Sequence, residues 1–325
     1  MHVVNYMRIS VTDRCNERCL YCQPHGPFEL LPRTDILSYE EILRVSRVAV
    51  SLGIVKFRVT GGEPLIRQGV ADFLKELCAI AGIQDVGLST NATRLAPIAQ
   101  QLRSFGVTKV NISLDTLNPG RYKLITGGKL EEVLAGIDAA VEARFPQVKL
   151  NCVLMKRKND DEVFELIDYA RRKDVALRFI ELMPISTTEV LTEENFLGAE
   201  TVKRWIRDRH GLEPLPHFRG NGPAEYFTIP GMTTSSGGQI KLGFIGAMSN
   251  LHFCETCNKL RLTPDGKLRP CLGHHDEYDL KTVLRSGGDD ADLRRVFEFT
   301  IARKPQQHEF RENYQPGRRM VAIGG

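Results

Sequence analysis

The chain has 325 residues, of which 42% are hydrophobic and 26% charged, and its formal net charge is +4. This composition is that of an ordinary globular protein, without low-complexity tracts. The small net charge gives no support to nucleic-acid binding, so an anionic ligand would require a local cluster of basic residues.

Six strand-like segments alternate with helical patterns in the first part of the chain. They cover residues 7–11, 55–60, 85–90, 107–115, 148–155 and 175–182. In the segment SYEEILRVSRVAVSLG, apolar residues recur at helical spacing, with Ser38 as a candidate N-cap and Gly53 as a stop. A second such pattern, NDDEVFELIDYARRKD, begins with acidic residues and ends with basic ones.

This alternation of apolar strands and helices predicts βαβ units and a parallel sheet. Six units are too few for a complete eight-stranded barrel. We therefore predict an α/β fold, an incomplete (βα)6 TIM-type barrel whose open side is covered by a C-terminal extension; a doubly wound open sheet is the alternative. We expect a boundary between a barrel domain, 1–220, and a C-terminal domain, 221–325.

The ends of the predicted strands are small, polar or flexible. The residues there are Thr60 to Pro64, Thr90 and Asn91, Ser113 to Asp115, Lys156, and Glu181 to Met183. Ligands of parallel α/β folds bind at the carboxyl ends of the strands. These strand ends therefore predict a ligand site.

The cysteines point to metal chemistry. The N-terminus lacks a charged segment followed by an apolar run, and no apolar stretch approaches the roughly 18 residues of a membrane-spanning helix, so we expect a cytoplasmic protein. In a reducing cytosol, clustered thiols serve more often as metal ligands or catalysts than as disulfides. Six of the eight cysteines form two trios, and Cys78 and Cys152 lie in apolar contexts that predict core thiols.

The first trio, Cys15, Cys19 and Cys22, follows the first predicted strand with the spacing Cys-x3-Cys-x2-Cys. His25 lies three residues further on and would complete a Cys3His zinc site. The same thiols would alternatively hold a [4Fe–4S] cluster with one iron open to an outside ligand. The spacing alone leaves both interpretations open.

The second trio, Cys254, Cys257 and Cys271, has the spacing Cys-x2-Cys-x13-Cys, with His274 three residues after it. A zinc ribbon and an iron–sulfur site fit this spacing equally well. Between the thiols, Lys259 and Arg261 alternate with leucines along a probable strand, which places both cations on one face.

Further basic residues alternate with apolar residues along the predicted strands. They are Arg8, Lys56, Arg58, Lys156 and Arg178. One face of a closed parallel barrel points inward, and because buried unpaired charges are costly, several inward cations require an anion. A triphosphate such as that of ATP or GTP would match them. The chain has no GxxxxGK[ST] motif, so we expect a substrate pocket and not a motor-type nucleotide site.

The first trio, the aromatic residue before its last cysteine, and the GGEP stretch at 61–64 together resemble the radical S-adenosylmethionine (SAM) superfamily. This resemblance implies that the first trio holds a [4Fe–4S] cluster whose open iron binds SAM, and that a 5′-deoxyadenosyl radical is formed. The residues implied to contact SAM are Tyr21, Gly62, Ser113 and Met183.

With the second trio and the terminal IGG, the chain resembles the GTP 3′,8-cyclase family of molybdenum cofactor biosynthesis over its whole length. This implies a second [4Fe–4S] cluster, on Cys254, Cys257 and Cys271, whose open iron accepts the guanine of GTP. The residues implied to bind GTP are Arg8, Arg58, Thr90, Lys156, Lys259 and Arg261, with Lys56 and Arg178 as further candidates. The family pattern CNRxR reads CNKLR here, so the planar guanidinium is replaced by an ammonium at Lys259.

The same resemblance implies a role for the C-terminus and a set of partners. Gly324 and Gly325 would enter the active site, where only glycine has no side chain to collide with the substrate. The product would be (8S)-3′,8-cyclo-7,8-dihydroguanosine 5′-triphosphate, which the pathway protein MoaC would consume, and flavodoxin or ferredoxin would donate electrons. No nucleic acid or membrane partner is expected, and a homodimer stays open. The alternatives are a radical SAM peptide maturase with an auxiliary cluster and a zinc-stapled, non-enzymatic adaptor.

Overall fold

The computed structural model of the chain describes residues 3–23, 29–185, 191–218, 220, 222–312 and 314–324. Two residues named above, His25 and Gly325, lie outside these described residues. Among the described helices, none combines the length and apolar character needed to cross a membrane.

The described residues form twelve strands and nine α-helices. The strands are β1 (Tyr6–Ser10), β2 (Lys56–Thr60), β3 (Asp85–Thr90), β4 (Lys109–Ser113), β5 (Gln147–Leu154), β6 (Ala176–Glu181), β7 (Glu213–Pro214), β8 (Glu225–Thr228), β9 (Leu242–Ile245), β10 (Lys259–Leu262), β11 (Lys267–Arg269) and β12 (Tyr278–Asp279). The helices are α1 (Tyr39–Ser51), α2 (Val70–Cys78), α3 (Ala99–Ser104), α4 (Pro119–Thr126), α5 (Leu130–Glu142), α6 (Val163–Lys173), α7 (Ala199–His210), α8 (Lys281–Arg285) and α9 (Asp290–Ala302).

The strands form one sheet in the order β12-β11-β10-β1-β2-β3-β4-β5-β6-β9-β8-β7. Strands β1 to β6 are parallel and correspond to the six predicted segments, so the prediction of an incomplete α/β barrel with a C-terminal extension is confirmed. The extension also enlarges the parallel sheet, because β9 pairs with β6 and β10 pairs with β1. Both edges of the six-stranded barrel are therefore continued by strands from the C-terminal region.

Local signals account for the helices that the sequence predicts. Helix α1 begins after Ser38, whose side chain accepts from the Glu41 amide while the Glu41 carboxylate accepts from the Ser38 amide. The chain leaves this helix at Gly53, whose φ of 85° is readily adopted by glycine. Helix α6 carries acidic residues at its start and three basic residues in its last turn, which matches its macrodipole.

The two faces of the parallel strands differ in polarity. In β1, Met7 and Ile9 are fully buried in the hydrophobic core that also includes residues of the surrounding helices. The alternate residue Arg8 lines the barrel interior and is paired in register with Arg58 of β2 and Arg261 of β10. Cys152 is buried in the core, as predicted, whereas Cys78 is only half-buried at the end of α2, where it packs against the core. The barrel thus packs its outer face and keeps a polar interior free for a ligand.

Candidate active site

One cavity of about 360 Å³ occupies the barrel interior, and all six cysteines of the two trios line it. Its lining extends from residues at the amino ends of the strands to the loops after their carboxyl ends. This volume lies within the range of roughly 300 to 1,000 Å³ that is usual for small-molecule sites. The fold therefore brings both trios to the same ligand-sized space.

The GGEP segment holds the loop that carries the first trio. The Gly62 amide donates to the Thr12 carbonyl at 2.7 Å, and the Glu63 amide donates to the Arg14 carbonyl at 2.8 Å. A Cβ atom at Gly62 would lie 2.2 Å from the Arg14 carbonyl oxygen. Glycine is required here because the two backbones approach too closely for any side chain.

Three buried carboxylic acids surround the first trio. Glu17 accepts from a tyrosine hydroxyl at 2.7 Å, and Asp115 accepts from the hydroxyl of Tyr21 at 2.7 Å. Burial raises the pKa of Glu17 and of Glu63 to about 7, and that of Asp115 to about 6. A cationic ligand near these groups would restore their ionised forms, so this part of the cavity favours positive charge.

Basic side chains line another part of the same cavity. They are Arg8, Arg58, Lys109, Lys149, Arg178, Lys259 and Arg261. Burial lowers the pKa of Lys149 to about 6, that of Arg8 to about 9 and that of Arg261 to about 10. Burial is the largest cause of each of these shifts, and an anion bound nearby would restore the charged forms, so this part of the cavity favours an anion.

Most of the predicted ligand residues line the cavity. These are Tyr21, Gly62, Ser113, Met183, Arg8, Arg58, Thr90, Arg178, Lys259 and Arg261. The Thr90 hydroxyl donates to Glu63 at 2.7 Å, so it belongs to the acidic part. Lys156 is exposed just after β5 and Lys56 is half-buried at the start of β2, and neither lines the cavity.

Lys149 is a cavity residue that the sequence interpretation missed. It lies in β5, where it alternates with the buried residues Val148 and Leu150 and shares its face with Asn151. Its ammonium lies 5.2 Å from the ring centroid of Tyr226. The alternation in this segment was visible in the sequence and would have pointed to Lys149, whereas Lys156 lies beyond the last paired residue of the strand.

The C-terminal segment reaches the cavity, where it contacts Cys22 of the first trio and Arg261, which lies beside the second trio. The Val321 amide donates to the Cys22 sulfur, and the Gly324 carbonyl accepts from Arg261 at 2.5 Å. Gly324 has a φ of 90°. A Cβ atom there would lie 2.8 Å from side-chain atoms of Ser10 and Thr60, at the ends of β1 and β2. Glycine at this position is therefore dictated by both conformation and space.

Replacing Gly324 with alanine is expected to reduce turnover at least about tenfold, because the strain and overlap of about 1 to 3 kcal/mol displace the segment. The melting temperature should change by no more than a few degrees, since the segment is terminal. Gly287→Ala is the matched control: its φ is 84°, but nothing lies within 4 Å of the added Cβ. Equal activity in both variants would contradict a role of Gly324 in the site.

The thiols of the two trios are suited to hold two [4Fe–4S] clusters, the first of which would bind SAM. Each trio presents three thiols to the cavity, which leaves one iron of a four-iron cluster for a small-molecule ligand. Within the described residues, no three His, Cys, Asp or Glu side chains converge on a point that would hold a single metal ion. His274, the candidate fourth zinc ligand of the second trio, has its Nε2 atom 3.0 Å from the Glu309 carboxylate.

Comparison with known families and proteins gives full-length matches. The Radical SAM superfamily model matches residues 9–170, and the model described as Molybdenum Cofactor Synthesis C matches residues 175–310. The GTP 3′,8-cyclase of Moorella thermoacetica is 43% identical over 99% of this chain and 98% of its own length. That of Gloeobacter violaceus is 44% identical, with complete coverage of both chains.

Solved structures confirm the fold alone. Streptococcus suis SuiB bound to S-adenosylmethionine matches with a TM-score of 0.57 and 14% identity, covering 90% of this chain and 68% of that one. SuiB bound to its precursor peptide SuiA matches with a TM-score of 0.58 and 14% identity, covering 87% and 65%. The radical SAM superfamily implies a [4Fe–4S] cluster and SAM as cofactors, in agreement with the donor set of the first trio.

Proposed function

Since the chain belongs to the GTP 3′,8-cyclase family of radical SAM enzymes, we propose that it converts GTP to (8S)-3′,8-cyclo-7,8-dihydroguanosine 5′-triphosphate within this single cavity. The reaction belongs to molybdenum cofactor biosynthesis. The observation that carries the proposal is the division of charge inside the cavity: the buried acids Glu17 and Glu63 line it near the first trio, and the half-buried cations Lys259 and Arg261 line it near the second.

The acidic part suits SAM, which carries a positive sulfonium and an ammonium group. We assign Cys15, Cys19 and Cys22 to the first [4Fe–4S] cluster, with SAM contacts from Tyr21, Gly62, Ser113 and Met183. Glu63 and Asp115 hold this part together, since each accepts hydrogen bonds from the neighbouring strand ends. When bound, cluster and SAM supply the 5′-deoxyadenosyl radical that removes the 3′ hydrogen of GTP.

The basic part suits the triphosphate of GTP. The attraction between two unit charges at ~4 Å is about 1 kcal/mol in water but about 4 kcal/mol at an effective dielectric constant of about 20. Several cations in a buried cavity therefore bind a polyanion far more strongly than a neutral peptide, which favours GTP over the substrate of a peptide maturase. Arg8, Arg58, Arg178, Lys259 and Arg261 are assigned to this role, together with Lys149.

The second trio lies beside these cations. Arg261 and Lys259 are electrostatically coupled to Cys257, so an anionic ligand held by the cations would be adjacent to the open iron of a second cluster. We assign Cys254, Cys257 and Cys271 to that cluster and the guanine to its open iron. In this division, residues 1–220 supply the SAM site and residues 221–325 supply the second cluster and part of the GTP site. An electron donor such as flavodoxin or ferredoxin reduces the enzyme, and MoaC takes up the product.

GTP binding is expected to weaken as the pH rises, because Lys149 gains a proton on binding. Burial and the neighbouring arginines lower the pKa of Lys149 to about 6 in the empty cavity, so the side chain is mostly neutral above that pH. A bound triphosphate raises this pKa. The affinity for GTP should therefore fall by up to about tenfold per pH unit between the pKa of Lys149 in the free protein and its higher pKa in the complex. The dissociation constant measured without reductant between about pH 7.5 and 9, where the phosphates no longer titrate, checks this dependence.

The control for this prediction is Lys149→Met. It should bind GTP more weakly at the lower pH, and its dissociation constant should depend less on pH than that of the wild type. An identical pH slope in the two proteins would show that Lys149 is not the group that takes up the proton.

The proposed function is tested by an anaerobic assay with GTP, SAM and a strong reductant. Protein with about eight irons per chain should form 5′-deoxyadenosine and the cyclised nucleotide with GTP and form no cyclised product with ATP. Colourless protein with two zinc ions per chain would instead support the structural adaptor. Formation of 5′-deoxyadenosine without any dependence on GTP would contradict the assignment of the substrate.

A further inference from the structure

Lys304 lies next to the second trio although it belongs to neither cysteine segment. It follows the end of α9, and its side chain is half-buried. Its ammonium donates to the Lys259 carbonyl at 2.9 Å and to the Pro270 carbonyl at 2.7 Å. It also interacts electrostatically with the Cys257 thiol. Two of the three donors of the ammonium are therefore used by backbone carbonyls.

These contacts join the two chain segments that carry the trio. Cys257 and Lys259 belong to the segment that leads into β10, whereas Pro270 immediately precedes Cys271 in the segment that follows β11. The chain connects these two segments through the β10–β11 hairpin. A single ammonium thus fixes the separation of the two segments at the level of the thiols.

The charge of Lys304 acts on the whole trio. Lys304 interacts electrostatically with all three thiols, and its ammonium contacts the carbonyls of Lys259, two residues after Cys257, and of Pro270, next to Cys271. A cation in this position stabilises negative charge on the sulfurs and on any cluster that they bind.

We propose that Lys304 is a positioning residue for the second iron–sulfur cluster: its ammonium holds the two ligand segments together and raises the reduction potential of the cluster. This inference rests on the proposed function, which assigns a [4Fe–4S] cluster to the second trio. The physical reason is that each added electron makes the cluster more negative, and a fixed neighbouring cation stabilises the more negative state. The first cluster has no such contact with Lys304 among the described residues, so its potential serves as an internal reference.

The test is a redox titration of the anaerobic holoenzyme, followed by electron paramagnetic resonance, for the wild type and three variants. Lys304→Met removes the charge and the hydrogen bonds, and it should shift the midpoint potential of the second cluster to a lower value. Lys304→Arg keeps the charge and should retain most of the wild-type potential. Arg303→Met is the matched control, because it removes an exposed cation that lies over the Phe299 ring, 3.4 Å from its centroid, one residue away.

The outcomes separate the inference from the proposed function. A wild-type potential for the second cluster in Lys304→Met, or an equal shift in Arg303→Met, would overturn the role of Lys304 and leave the proposed function intact. Absence of a second cluster signal in the wild type would contradict the proposed function itself. If Lys304→Met retains a full first cluster but loses the iron of the second, restoration of that iron in Lys304→Arg supports the role.

Discussion

Replacing Cys254 with serine is expected to abolish formation of the cyclised nucleotide while leaving the first cluster in place. The hydroxyl is a poor substitute for a thiolate ligand, so the second cluster should be lost and the iron content should fall from about eight to about four per chain. We expect product formation to fall at least about a hundredfold, since even the outer-shell partners of metal ligands are worth about 10- to 100-fold. Iron analysis and quantification of the nucleotide product measure both effects.

Cys78→Ser is the matched control for this substitution. Cys78 is half-buried at the end of α2 and lies outside both trios, so its replacement should leave about eight irons and the wild-type activity. Full product formation by Cys254→Ser would show that the second trio does not anchor the substrate.

Replacing Gly62 with alanine is expected to abolish the first cluster and to leave the second cluster in place. The added Cβ would lie 2.2 Å from the Arg14 carbonyl oxygen and 3.1 Å from the Cβ of Cys15, so the loop of the first trio must move. The first cluster and SAM cleavage should be lost, with about four irons remaining on the second trio. Iron analysis and the yield of 5′-deoxyadenosine, which should fall below detection, measure this result.

The control for Gly62→Ala is Gly238→Ala. Gly238 has no positive φ, and its added Cβ would meet the Thr234 side chain only at 3.5 Å, which is an ordinary contact. This variant should retain both clusters and full activity. If Gly62→Ala also retained 5′-deoxyadenosine formation, the close contact between the GGEP segment and the cluster loop would not be needed for SAM cleavage.

The features that the sequence predicted well depend on local patterns. Each of the six predicted strands is found within about two residues of its expected bounds, because alternation and flanking turn residues mark them locally. The cap of α1 at Ser38 is likewise a local signal, confirmed by its hydrogen bonds with Glu41. The alternation of Lys259 and Arg261 with buried leucines is also found, in β10.

The features that the sequence interpretation missed depend on pairing between distant segments. Strands β9 and β10 have four residues each, and only their parallel partners β6 and β1 reveal that they extend the barrel sheet. Lys149 was missed for a similar reason, because the strand register decides that its side chain lines the cavity. The contribution of Glu17 was missed because its proximity to Glu63 and Asp115 is created by the fold alone.

The pairing of β1 with β10 has a consequence for how the chain folds. The two strands come from segments 253 residues apart, as the hydrogen bond between Asn5 and Asn258 shows. Until β10 has been synthesised and docked, the nascent chain exposes the unpaired edge of β1, and contacts of such high sequence separation form slowly. A fragment that ends before β9 would expose two bare sheet edges and would be prone to aggregation. Assembly of the cofactor sites therefore belongs to the completed chain and not to its first half.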